Sequence, residues 1–179
     1  MYDNQLIQLF LPIVSEGLVS QGFTNVTIAA AAQNFQEGVN SGPTVFFKKI
    51  SDKRWGWPEI KYWWDDTAQL EKGKISQVME TTFRMQALYR QDPNNVDSIT
   101  ASDVLNLVAI ILQSDSTVQQ LALQGVGVLR IMDLPAPYFV DDLDRFESAP
   151  YFDFILTHTN YLDVVSSPIT DISEGIYRV

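Results

Sequence analysis

The sequence predicts an α+β domain in which an N-terminal helix and a helix pair pack on one face of a mostly antiparallel β-sheet. Three observations predict it. Met79, Thr81, Phe83, Met85, Ala87 and Tyr89 alternate with Glu80, Thr82, Arg84, Gln86, Leu88 and Arg90, and period two marks a strand with one face on a core and the other free. Leu6, Ile7, Phe10, Leu11, Val14 and Leu18 recur every three or four residues, the spacing of one helix face. Val104, Leu105, Leu107, Val108, Ile110, Ile111 and Leu112 form a second apolar helical run, after which Ser114, Asp115, Ser116 and Thr117 end one helix and cap another. The order helix, strands, helix pair, strands places helices on one side of an antiparallel sheet.

The first helix has Asp3 or Asn4 as N-cap and Gly22 as its stop. Pro12 removes one hydrogen bond inside it, so a bend is expected near Gln8–Pro12. Val26–Ala32 sets strand formers at Val26 and Thr27 against Ala29–Ala32 and reads as a strand. Beyond Gly42 and Pro43, the run Thr44, Val45, Phe46, Phe47 is a compact strand. Lys48–Trp57 reads as a connection ended by Pro58, with Glu59–Trp64 as its returning strand, and the region around 48–76 is expected to be a mobile loop. After the strand at 78–90, Gln91–Asn95 is a loop, and Thr100–Asp103 is a capping box for the second helix. Val118–Leu123 is the third helix, closed by Gln124 and Gly125. Val126–Met132 reads as a strand in which Gly127 marks a bulge or a close backbone approach. A loop through Pro135, Pro137 and the acidic Asp141, Asp142, Asp144 and Glu147 leads to strands at Tyr151–Leu162 and Ile169–Val179.

One chain of 179 residues, 46% apolar and 19% charged, fits a single domain over 1–179 with one sizeable core. The absence of cysteine excludes disulfides, thiolate metal sites and cysteine nucleophiles, and the single histidine, His158, excludes multi-histidine metal centres. No apolar run approaches the length that spans a bilayer, and Met1–Phe10 carries no basic leader region. The net charge of −10 is uneven: nine basic residues balance nine acidic ones over 1–90, whereas 91–179 holds three against thirteen. That distribution opposes a phosphate-binding face. It fits either a solvated acidic surface or a wall that repels a polyanion or meets a basic partner.

His158 is the only imidazole base, but it sits on the apolar side of the alternation Phe152, Phe154, Leu156, His158 and reads as a structural histidine. There is no nucleophile elbow, phosphate-binding loop or dinucleotide fingerprint. The four acids at 141–147 lack the spacing of a calcium loop. No cofactor is implied, and the chain is expected not to be an enzyme.

The most unusual local feature is the placement of all four tryptophans, Trp55, Trp57, Trp63 and Trp64, within ten positions among Lys53, Arg54 and Lys61. Adjacent residues of a strand point to opposite faces, so at least one of Trp63 and Trp64 leaves the core. Such a cluster has the composition of interface anchors, with Arg84 as a further candidate. A platform for stacking sugars or bases has the same composition.

Taken together, several features resemble the neck and tail terminator (tail completion) proteins of tailed bacteriophages. They are the amphipathic first helix; Gln33, Asn34, Phe35, Gln36, Glu37 and Gly38 leading through Gly42 and Pro43 into Val45, Phe46 and Phe47; the alternating strand around Phe83; and Phe152, Asp153, Phe154 with the closing Gly175–Val179. The Trp55–Trp64 cluster and Ala29–Ala32 match nothing in that family. The resemblance implies a tail-terminator-like virion protein, assembled in the host cytoplasm, that forms a hexameric ring, ends the tail tube and joins it to the head connector. Its implied partners are other copies of itself, the tail tube protein, the connector or neck proteins and, in a contractile tail, the sheath. DNA would pass through the ring without specific binding, and no membrane is involved. Trp55, Trp57, Trp63, Trp64 and Arg84 are the candidate interface residues, and Asp141, Asp142, Asp144 and Glu147 the candidate channel lining. A head-closure or other virion adaptor, or a carbohydrate-binding module, are the alternatives.

Overall fold

The computed structural model describes residues 1–31, 42–89, 99–140 and 146–166. The element order is α1 (Asp3–Ser20), β1 (Thr27–Ala30), β2 (Thr44–Asp65), β3 (Leu70–Leu88), α2 (Ala101–Gln113), α3 (Asp115–Leu123), β4 (Gly127–Val128), β5 (Tyr138–Val140), β6 (Phe146–Ser148) and β7 (Tyr151–Ser166). Five strands form one sheet in the order β1-β2-β3-β7-β4, antiparallel throughout except for the short parallel pair β1–β2, and β5 and β6 form a separate hairpin. The predicted α+β architecture is present, with the helices on one face.

The apolar alternation sets which face is covered. In the body, β3 buries Met79, Thr81, Phe83, Met85 and Ala87, and β7 brings Phe152, Phe154 and Leu156 to the same side, with Phe83 directly opposite Phe154. Leu6, Phe10, Val14 and Leu18 of α1 and Val104, Leu105, Val108 and Leu112 of α2 close over them. Phe10 is the hub: its ring meets those of Phe83 and Phe154 edge-on at 5.3 Å and that of Phe47 at 5.9 Å. Edge-to-face geometry suits the ring quadrupoles and adds to the burial term.

Helix boundaries follow local chemistry. Thr100 caps α2, accepting from the Asp103 amide at 3.1 Å, while Asp103 accepts from the Thr100 amide at 2.9 Å, the predicted capping box. Ser114 ends α2 and caps α3, accepting from the Thr117 amide. Helix α1 starts one residue earlier than the sequence implies, with Tyr2 at the cap and its amide donating to Gln5 Oε1 at 2.8 Å. Asp3 is thereby free to pair with Lys49 at 2.7 Å. The helix continues through Pro12.

Three expectations are corrected. The strand expected at 126–132 is reduced to Gly127–Val128, and what a β-carbon on Gly127 would run into is the side-chain Oγ1 of Thr157 rather than the backbone anticipated there. The acidic loop region contains the hairpin β5–β6. Most consequentially, the mobile loop expected around 48–76 and the connection expected at 48–57 fall on the long strands β2 and β3, which pair on both sides of two bulges and are joined by a turn at 66–69, and Glu59–Trp64 continues β2 rather than returning beside it. The strand expected at 169–179 lies outside the described residues.

Candidate functional site, a two-faced aromatic arm

Beyond the helices, the distal parts of β2, β3 and β7 continue as a three-stranded arm. Pairing extends from Trp55 opposite Val78 to Asp65 opposite Leu70, and β7 accompanies β3 out to Ser166 opposite Glu71. Nine residues of β3, at about 3.3 Å each, give the arm a length of about 30 Å. Two bulges in β2, at Ile50 and at Gly56–Pro58, interrupt the register. At the second, Gly56 takes a positive φ of 63°, a conformation glycine adopts without strain. Gln77 Nε2 donates across the bulge to the Trp55 carbonyl at 2.6 Å. Pro58 is tolerated because it stands in this bulge on the arm's outer strand, beyond the short pairing of β1 with β2.

The tip is equally well built. Asp65 Oδ1 accepts from the amides of Thr67 at 3.0 Å and Ala68 at 3.1 Å, a side-chain-closed turn, and Asp65 Oδ2 pairs with Lys72. The hydrogen bond from Lys72, then those from the turn amides, hold the Asp65 carboxyl below its ordinary pKa. Local hydrogen bonding therefore orders a segment whose polar and glycine content reads as a loop.

Register assigns every side chain to a face. Ile60, Tyr62 and Trp64 of β2, Ile75 of β3 and Leu162 of β7 continue the face that carries the helices. Trp55, Lys61 and Trp63, Lys72 and Lys74, and Tyr161 and Val165 lie on the opposite face. Trp57 projects from the bulge and is 95% exposed. Trp63 and Trp64 are 45% and 50% exposed: both leave the core, because among the described residues no helix lies over either face at this distance. None of the four tryptophans is buried. Soluble monomers seldom display a contiguous apolar surface of this kind unless it is a binding site.

Charge separates the readings of that surface. Lys53 pairs with Glu80 at 3.9 Å, Lys61 with Glu59 at 3.0 Å and Lys72 with Asp65. Lys53 also lies over the Trp55 ring, at 5.0 Å, and Lys74 over Tyr161, at 4.1 Å. Three of the four lysines on this face already face carboxylates, so it is aromatic and locally neutral. A nucleic-acid backbone requires unneutralised cations; a protein interface requires desolvated aromatics.

Arg84 does not join the tryptophans. It lies in the body on the uncovered face, bidentate to Asp153 at 2.7 and 2.9 Å and stacked on Tyr151 at 4.2 Å. Asp141, Asp142 and Asp144 lie outside the described residues. Glu147 lies in β6, opposite Phe139. The residues that sequence reasoning missed are Ile60, Tyr62, Tyr161, Leu162 and Val165. Their signal was present in the alternation of Glu59–Trp64, had β7 been extended past Leu162.

His158 closes the base of the arm. Thr81 Oγ1 donates to Asp52 Oδ1 at 2.8 Å, so its lone pair accepts from His158 Nε2 at 2.9 Å. The hydroxyl has a single proton, which makes His158 the Nε2–H tautomer. Nδ1 is buried with no partner among the described residues. Burial, reinforced by the N-terminal ammonium, holds the imidazole below its ordinary pKa, and Lys49 links Asp52 to Asp3 at the start of α1. This network ties α1, β2, β3 and β7 together at the point where the helix layer stops.

No curated relative matches the chain. Residues 5–167 match the family model described as E217 gateway protein gp29, a span that includes the helix layer, the sheet and the whole arm.

Proposed function

The chain belongs to the family of the E217 gateway protein gp29, and from that membership we propose that it forms a closed, hexameric ring which terminates the phage tail tube and joins it to the head connector. A structural, connector-type role in a phage virion comes with the family; ring order and position at the tube end are the finer reading. The observation that carries this reading is the arm, a preorganised sheet about 30 Å long with aromatic side chains exposed on both faces. Apolar surface of that extent is unfavourable in water at about 25 cal/mol per Å², and assembly removes it. A ring supplies each arm with a neighbour through one repeated, closing contact. Trp55, Trp57, Trp63 and Trp64 are the arm's anchors, divided between a neighbouring copy and a partner protein, whereas Arg84 serves a separate contact on the uncovered face of the body.

The charge distribution supports the same reading. Six copies carry about −60 in total, all of it contributed by the second half of the sequence. An acidic lumen, with Asp141, Asp142, Asp144 and Glu147 among its lining, repels a DNA backbone and lets the genome pass without adhering. The role is structural rather than catalytic.

Native mass by light scattering across concentration, followed by electron microscopy of the largest species, tests the reading. A closed ring that caps isolated tail tubes is expected. A chain that neither closes rings nor binds tubes contradicts it.

A further inference from the structure

The helix-side face of the arm is not a separate surface. It continues the sheet face that, in the body, carries Phe47, Phe83 and Phe154 under α1 and α2. Past Met79 and His158 the helices stop, yet the face goes on through the cross-strand rows Ile60–Ile75–Leu162 and Tyr62–Gly73–Val164 and ends at Trp64. Ile60, Tyr62, Trp64 and Leu162 are all exposed. A pleated apolar face of this kind is complementary to a helix surface.

The same chain offers such a surface. Helix α2 buries Val104, Leu105, Val108 and Leu112 against the sheet, yet Ile110 on its far side is 66% exposed. A helix that is apolar on both sides has a partner on both. Ile110 borders a groove of about 510 Å³ between α1 and the α2–α3 pair, lined also by Ile13, Gly17, Leu107 and Ile111 and rimmed by Glu16. Glu16 makes no ion pair among the described residues, and neither does Arg54, which projects from the helix-side face at the base of the arm, opposite Met79.

Resting on the ring reading, we propose that the helix-side face of one copy's arm docks in the α1–α2–α3 groove of the next copy, with Arg54 facing Glu16. The two patches are different and lie on different parts of the chain, so the contact is head-to-tail. Such a contact propagates from copy to copy until it closes. The opposite face, with Trp55, Trp63 and Tyr161, stays available to a different protein.

The absence of cysteine makes the contact directly readable. Trp64→Cys and Ile110→Cys are placed together in the full chain, both at exposed positions, and the protein is treated with a short bis-maleimide. The expected result is a ladder of covalent multimers up to the ring, with each single-cysteine variant stopping at dimers. Trp63→Cys with Ile110→Cys, which uses the opposite face, should give a ladder at least about tenfold weaker. Separately, Arg54→Glu and Glu16→Arg should each raise the concentration needed for assembly about tenfold, and the double variant should restore it, as for a directly coupled charge pair. Rings that form without a 64–110 ladder, or with an equal 63–110 ladder, overturn the docking and leave the ring reading standing. Cross-linking only to another virion protein also overturns it. A strict monomer at every concentration and on added tail tubes rejects the ring reading and the docking with it.

Discussion

The ring of Tyr62 on β2 lies directly over Gly73 on β3, so close that a β-carbon at Gly73 would stand 2.6 Å from Tyr62 Cε1. A cross-strand aromatic covering a strand glycine restores the packing that glycine lacks, and here it fixes the Tyr62 ring in the middle of the arm's helix-side face. Gly73→Ala forces that ring away. Because the arm stands outside the core, unfolding free energy should change by no more than about 1 kcal/mol, whereas self-association should weaken measurably. Paired urea titration and native-mass measurements on the variant check this; equal association would remove Tyr62 from the contact.

Phe10 joins the three core strands through a single ring. Its replacement by alanine should cost about 3–5 kcal/mol, a large share of the roughly 5–15 kcal/mol that holds a domain folded. A lower urea midpoint with an unchanged slope is the expected result.

Gly17 lets α1 approach α2. A β-carbon there would lie 2.7 Å from Ile111 Cγ2 and 2.9 Å from its Cδ1. Gly17→Val should destabilise the fold by about 1–3 kcal/mol through overpacking, and adding Ile111→Ala should recover part of the loss. Strict additivity of the two changes in denaturation would show that they do not share this contact.

His158 makes stability depend on pH in a defined direction. Burial lowers its folded pKa, helped by the N-terminal ammonium and Lys49 and opposed by Asp52 and Asp3. The unfolded chain protonates near the ordinary value of about 6.5, so its contribution is complete above that pH. It is lost as pH falls below 6.5 and levels off under the folded pKa. Urea midpoints between pH 7.5 and pH 5.5 should decline for the native sequence and be flatter for His158→Gln. Identical slopes would mean that another group titrates.

Arg84 pairs with Asp153 and stacks on Tyr151 at a partly exposed position, where ion pairs contribute little, about 0–1 kcal/mol. Arg84→Ala should accordingly leave the melting curve almost unchanged. If the uncovered face of the body meets another virion protein, the loss should appear in incorporation into particles, read by counting the subunit in purified virions.

The body of the fold was legible in the sequence because burial there follows strict periods. Alternation at Met79–Ala87 and at Phe152–Leu156 and the three-four spacing of Leu6–Leu18 each report a single covered face, and Thr100–Asp103 announces a helix start by chemistry alone. The arm was illegible for the opposite reason. With both faces exposed among the described residues, Lys53–Trp64 has no partition between buried and polar positions, and Gly56 and Pro58 mimic a loop although they form a bulge. The sequence places at least one of Trp63 and Trp64 outside the core, but the exposure of all four tryptophans and their division between two faces depend on register, which two bulges in β2 reset. Residue type alone groups Arg84 with the tryptophans; its partner Asp153 is set by pairing of β3 with β7, distant in sequence.

All four tryptophans stand on the arm, so intrinsic tryptophan fluorescence reports that arm and nothing else. Emission and acrylamide quenching should be followed together with native mass as concentration rises. If arms are buried between copies, emission shifts to the blue and quenching falls over the same range in which mass rises towards the ring. A rise in mass with emission and quenching unchanged would contradict the account, because the copies would then be joined by surfaces other than the arm.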